Sequence, residues 1–170
     1  MQEEPVLGTA FNAAVPQESA ERILVDDLRA LVTEEKFAVL CTQGDGQPYG
    51  SVVAFAFDDE LSSFVFATPK ATRKFRLLCQ CARVALVVDN RGRFPGDLMK
   101  VSAVTVTGHA QQLEEGLAFD TAAQLLTARH PYLSSFVSSP STAFFRVEAV
   151  RFLHVTRFQE VRQWLPTLDG

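Results

Sequence analysis

The spacing of apolar positions divides this chain into a helical opening, a β-rich middle and a mixed C-terminal third. Over residues 16–35, Ile23, Leu24, Leu28, Leu31 and Val32 fall on one helical face, with Glu21, Arg22, Asp26 and Arg29 elsewhere. From Lys36 the period changes. Residues 37–42 form a short apolar run of strand formers, closed by the turn signal Gly44-Asp45-Gly46. Residues 48–57 then alternate, with Val53, Phe55 and Phe57 on one face and Val52, Ala54 and Ala56 on the other. Asp58-Asp59-Glu60 makes the next turn, leading into a strand over 63–67. Two hairpins in succession predict an antiparallel meander.

A short helix follows, with Ala71, Phe75 and Leu78 on its inner face. It starts in one of two ways: Thr68 caps it with Pro69 at the first helical position, or Thr72 is the cap. Residues 83–89 read as a nearly continuous apolar strand, and 90–100, with Arg91-Gly92-Arg93 and Pro95-Gly96, as a loop. A long β-branched strand over 101–113 is interrupted by Gly108, where a bulge is expected. Helical spacing returns over 116–130 through Leu117, Ala118, Ala122, Leu125 and Leu126, until His130-Pro131 stops it. The last β-segment covers 142–156, and 158–165 reads as a tail. Six or seven strands with two or three helices predict a mainly β, α+β fold: a small antiparallel barrel with flanking helices. Residues 1–15, aperiodic and carrying Pro5 and Gly8, read as an extended arm, and 16–170 as a single domain.

Composition narrows the function. Hydrophobic residues make up 47% of the 170, enough to exclude a disordered chain. A net charge of −4 gives no reason to expect nucleic acid as a partner. No apolar run reaches the length of a membrane span, and Cys41, Cys79 and Cys81 are an odd number that suits reduced thiols. A cytoplasmic location is therefore expected.

The chemistry concentrates in Phe66-Ala67-Thr68-Pro69-Lys70-Ala71-Thr72-Arg73-Lys74, where a strand gives way to a helix. Helix-opening N–H groups and basic side chains suit a phosphate. The same pattern also fits a surface helix with a hydroxylated, basic first turn. Two points favour the anion: cations at the positive end of a helix dipole need compensation, and the apolar strand gives a rigid base. Other candidates are plainer. His109, His130 and His154 lack metal-ligand spacing and read as surface or hydrogen-bonded structural residues. Cys79-x-Cys81 is not a redox pair, Arg91 and Arg93 read as solvated loop charges, and Trp164 reads as an anchor for the tail.

The order of these pieces resembles the pyridoxamine 5′-phosphate oxidase-like superfamily of FMN-binding split β-barrels. The likeness rests on Phe66-x-Thr68-x-x-x-Thr72-Arg73-Lys74-Phe75 followed by Ala82-Arg83-Val84-Ala85-Leu86, and covers about 37–113. The resemblance implies a six-stranded split barrel and a homodimer with flavin at the subunit interface. It implies that Ala67, Thr68, Thr72, Arg73 and Lys74 hold the FMN phosphate and that the strand Ser51-Val52-Val53-Ala54 lies along the flavin ring. It also implies that Trp164 can reach a flavin across the dimer. The chain departs from true pyridoxine phosphate oxidases at Tyr49-Gly50-Ser51, where they have an Arg, at Ala103 in place of a Gln, at Cys81 in place of a Pro, and at Arg162-Gln163-Trp164-Leu165 in place of Arg-x-His. The expectation is an FMN-binding oxidoreductase of unassigned substrate, for which a small molecule is possible and the pyridoxal-specific chemistry has no support in these residues. A non-enzymatic flavin-, haem- or partner-binding protein on the same fold is the alternative, and a deazaflavin a third reading.

Overall fold

The computed structural model describes residues 17–166, so the expected N-terminal arm lies outside the described residues. Helix α1 (Gln17–Glu34) precedes β1 (Phe37–Gly44), β2 (Gln47–Phe57), β3 (Ser63–Pro69), α2 (Arg73–Gln80) and β4 (Arg83–Asp89). After a loop with two short 3-10 turns come β5 (Ala103–Leu113), α3 (Leu117–Arg129), α4 (Ser134–Val137), β6 (Thr142–Thr156) and β7 (Glu160–Trp164). The strands form one antiparallel sheet in the order β3-β2-β1-β4-β5-β6-β7, and β3 also pairs with β6. That extra pairing closes β1 to β6 into the expected six-stranded barrel, with β7 appended to β6.

Alternation fills the interior. Leu40, Phe55, Phe64, Phe66, Leu86, Val104, Val106, Phe145 and Phe152 point inward and are buried. Each such side chain contributes about 1.5–3 kcal/mol of hydrophobic stabilisation. The β1–β2 turn is the two-residue type expected from Asp45-Gly46, both with positive φ (53° and 75°), which suits the right-handed strand twist.

Helices stop both ends of the barrel. Leu24, Leu28, Leu31 and Val32 of α1 enter the core at one end. That end is tied by Arg93, which pairs with Glu34 (2.6 Å) and Glu35 (2.8 Å), and by Arg162, which pairs with Asp27 (2.7 Å). Arg93 is thus a bridge from the β4–β5 loop to α1, not the solvated charge its loop position suggested, while Arg91 pairs with Asp89. At the other end α2 buries Leu77 and Leu78 and sets Phe75 edge-on to Phe145. The helix sits so close to β1 that a Cβ on Gly44 would come within 2.4 Å of Leu77 Cδ2.

Three details differ from the sequence reading. The inner face of α3 is Phe119, Ala122, Ala123 and Leu126, packed outside the barrel on Ala56, Val65 and Phe144; Leu117 and Ala118 are exposed. That set keeps the i, i+3, i+4, i+7 spacing, offset from the one predicted. The register shift falls at Thr107/Gly108 as expected, but the extra residue is Val150 of β6. Gly108 is needed there because a Cβ would meet the Glu148 carbonyl at 2.2 Å. The expected tail contains β7, whose polar Arg162 and Gln163 hid a strand that pairs with the end of β6.

Candidate functional site

The β2–β3 ladder holds only from Phe57↔Phe64 to Phe55↔Phe66. Beyond it the strands part: β2 from Gln47 to Ala54 pairs with β1 alone, and Ala67 to Pro69 of β3 pair with β6 alone. The barrel is therefore split along one edge, leaving the side of β2 away from β1 without a strand partner among the described residues. Residues from α3 hold the fork. His130 Nε2 donates to the Phe55 carbonyl at 2.9 Å, and the Arg129 guanidinium lies 5.0 Å over the rings of both Phe55 and Phe57. Burial first, helped by the Arg129 and Lys36 charges and opposed by the hydrogen bond to Phe55, lowers the His130 pKa.

The four β2 residues expected along a flavin ring occupy this open edge. Val52 is 67% exposed, Ala54 is half-buried, and Val53 belongs to the core. The Ser51 hydroxyl oxygen is buried without a hydrogen-bond partner among the described residues. A buried unpaired hydroxyl is uncommon, so its place beside an unpaired edge fits a polar ligand or its water.

Thr72, not Thr68, caps α2. It has extended backbone (φ −85°, ψ 155°), its Oγ1 accepts from Phe75 N at 3.2 Å, and it donates to the Pro69 carbonyl at 2.9 Å. Thr68 is wholly buried and its hydroxyl lies 3.1 Å from Thr72 Oγ1, so it braces the cap from inside. Ala67 is half-buried beside it. Ala71, expected on the inner face of the helix, is exposed and precedes it. Lys70 Nζ donates to the Pro140 carbonyl at 3.0 Å and so serves the β3–β6 end.

Arg73 and Lys74 open α2, and among the described residues neither has a carboxylate partner. Lys74 is half-buried, and desolvation alone lowers its pKa. Arg73 is exposed and its guanidinium stacks 5.1 Å over the ring of Tyr49, at the start of the open β2 edge. In the sequence Tyr49 stands only as part of the Tyr49-Gly50-Ser51 departure and not as a site residue. A stacking pair 24 positions apart leaves no local signal, since it depends on where β2 and α2 meet. The split edge, the Thr72 cap and two uncompensated cations thus converge at the α2 end of the barrel. Such a site can bind a phosphate through helix N–H groups, a guanidinium and an ammonium.

The remaining candidates lie away from this edge within the chain. Trp164 lies on β7 with its ring 4.9 Å from Phe152, packed on the main core at the α1 end. His154 is buried, with Nε2 2.7 Å from Ser102 Oγ and Nδ1 3.2 Å from an Arg162 nitrogen. Because Arg162 can only donate, Nδ1 accepts and Nε2 carries the proton toward Ser102. The imidazole therefore has no free lone pair with which to activate that serine. His109 is exposed on β5. No cluster of metal-ligating side chains occurs among the described residues.

The family model for pyridoxamine 5′-phosphate oxidase matches residues 24–156. The chain belongs to this family. The match takes in all six barrel strands, the split edge and the Thr68 to Lys74 segment. No protein of curated function matches in sequence. Among solved structures the chain is similar to a heme binding protein from Mycobacterium smegmatis (TM-score 0.75, 16% identity, covering 89% of this chain and 60% of that one). It is also similar to a FAD-binding protein from Mesorhizobium loti (TM-score 0.63, 18% identity, 76% of this chain and 90% of that one). A third is a Clostridium acetobutylicum protein related to general stress protein 26, of the pyridoxinephosphate oxidase family (TM-score 0.67, 16% identity, 85% and 95%). At these identities the likeness to solved structures shows the fold alone.

Proposed function

We propose that this protein is an FMN-binding flavoprotein and an oxidoreductase acting on a small molecule. The observation that carries the reading is the pair Arg73 and Lys74, two cations at the positive end of α2 with no carboxylate partner among the described residues. A half-buried ammonium there is unfavourable until an anion compensates it. In this reading Arg73 and Lys74 neutralise the phosphate, the α2 N–H groups and Thr72 complete the cradle on the Thr68 brace, and Ser51 to Ala54 receive the ring. Bound FMN would supply hydride or single-electron transfer, so the chain itself needs no acid–base pair.

The outer sheet face supports a homodimer. Phe37 (54% exposed), Val52 and Val150 stand out from it. Beside Val150 a shallow groove of about 440 Å³ is lined by Cys41, Pro48, Ala85 and Thr107, with Arg83 and His109 on its rim. A second copy would cover this apolar face and bring its own chain over the open β2 edge, where Trp164 of that copy is a candidate flavin contact. The three unpaired cysteines suit the cytoplasm, and no described helix is long and apolar enough to cross a membrane.

The purified protein, or the protein titrated with FMN, should give a flavin spectrum with perturbed bands and quenched fluorescence. A colourless protein that takes up no FMN would remove this reading, and a Soret band would replace it with haem binding. Bleaching of the bound flavin by reduced nicotinamides under anaerobic conditions supports turnover; its absence favours a binding protein.

A further inference from the structure

Tyr49 is the contact between the two halves of the site. Its backbone is fixed twice, by the Thr42↔Tyr49 pairing in β1–β2 and by the buried Thr42 hydroxyl, which donates to the Tyr49 carbonyl at 3.2 Å. Its ring lies under Arg73, the first residue of α2, with the guanidinium carbon 5.1 Å from the ring centre. A cation–π contact at this distance engages only part of the guanidinium and leaves further N–H donors for a planar or tetrahedral anion. An exposed arginine without such a platform spreads over many rotamers, and ordering them costs binding free energy.

We propose that Tyr49 is a positioning residue for phosphate recognition. It holds Arg73 in one orientation at the mouth of the split, so that the chain discriminates a phosphorylated flavin from its unphosphorylated form. This rests on the FMN reading, but its object is the Arg73 guanidinium, which other probes also reach. The stack also spans from the open β2 edge to the α2 N-terminus, so it fixes the spacing between the groups proposed for the ring and those proposed for the phosphate.

The test measures FMN and riboflavin affinities by flavin fluorescence quenching for the full chain and for Tyr49→Phe, Tyr49→Leu, Arg73→Ala and Tyr49→Leu/Arg73→Ala. Tyr49→Phe keeps the ring and should keep the affinity for FMN. Tyr49→Leu should weaken FMN about tenfold, the size of a partly desolvated cation–π contact. Riboflavin should change less than about twofold. In the Arg73→Ala background Tyr49→Leu should add nothing, because the group it positions is gone. Equal weakening of both flavins by Tyr49→Leu, an additive double variant, or a Tyr49→Phe as weak as Tyr49→Leu would overturn the proposal. If the unsubstituted chain binds no flavin, the FMN reading fails, and inorganic phosphate decides the Tyr49 role separately. Phosphate should then shift the Arg73 Nε–H resonance in the unsubstituted chain and in Tyr49→Phe but not in Tyr49→Leu. A shift that survives in Tyr49→Leu, or none in any chain, also overturns it.

Discussion

The two ends of this barrel are built by opposite rules. At the α1 end most cations are matched: Arg93 pairs with Glu34 and Glu35, and Arg162 with Asp27 and His154. The Arg129 Nη2 donates to backbone carbonyls of Val32, Thr33 and Glu35, leaving only its buried Nε without a partner among the described residues. At the α2 end, among the described residues, Arg73 and Lys74 have no carboxylate partner and the neighbouring β2 edge has no strand beside it. The same helix-on-barrel packing seals both, through Leu28 and Leu31 at one end and Leu77 and Leu78 at the other. The difference therefore lies in polar satisfaction and not in the core. A fold can leave charge unmatched where burial is incomplete and the backbone is already open, and that is where a ligand gains most by supplying the missing charge.

The sharpest way to break this contrast is to damage the sealed end and look at the open one. Phe152 is fully buried and contacts Phe64 and Trp164. Phe152→Ala should cost roughly 3–5 kcal/mol of folding stability in urea unfolding, while the fraction still folded keeps its FMN affinity. The mirror experiment is Arg73→Ala with Lys74→Ala. It should weaken FMN by about 2–4 kcal/mol, riboflavin far less, with no loss of stability, since two cations leave the positive end of a helix. A double variant that unfolds early but binds FMN normally would place the phosphate elsewhere.

Acid separates the ends next. Burial first, and then the Arg162 charge, push the His154 pKa down to about 4, with Asp27 opposing them. The unfolded chain binds a proton near pH 6.5 and the folded chain does not until about pH 4, so the unfolded state holds more protons between those values. Stability contributed by neutral His154 is complete above about pH 6.5 and falls as pH drops toward 4. The loss should be about 1–3 kcal/mol in total, with His130, also lowered, adding in the same direction. His154→Gln should flatten that part of the stability–pH curve. An unchanged slope would mean that the Ser102–His154–Arg162–Asp27 chain does not hold the neutral ring.

How much of this was legible in the sequence follows from range. The hairpin at Asp45-Gly46, the β4 strand over 83–89 and the β6 strand over 142–156 are written in local periodicity and turn chemistry, and the structure repeats them. The Thr68 to Lys74 segment was legible as a strand-to-helix junction because hydroxyls and cations stand together there. What could not be read is long-range. Tyr49 under Arg73, His130 under the Phe55 carbonyl and Arg93 across to α1 join residues whose neighbourhood only the closed barrel creates. Strand β7 was missed because five residues with alternating charge carry too little apolar signal. Leu117 misled in the other direction: apolar and in phase with its neighbours, it lies at the first position of α3 and is 84% exposed.

The smallest effect concerns Thr72, which belongs to both rules at once. Its oxygen is satisfied internally by Phe75 N, Pro69 O and Thr68, yet it stands at the mouth of the open end. Thr72→Ala removes the cap and should cost about 1 kcal/mol of stability. It also leaves the Thr68 hydroxyl buried without its partner, so FMN should weaken several-fold through a loosened first turn. Thr72→Ser restores the oxygen at the same place and should recover both quantities together. If Thr72→Ala lowers stability while FMN binding is untouched, the cap is only structural. The open end would then consist of Arg73, Lys74 and the helix N–H groups, without a hydroxyl.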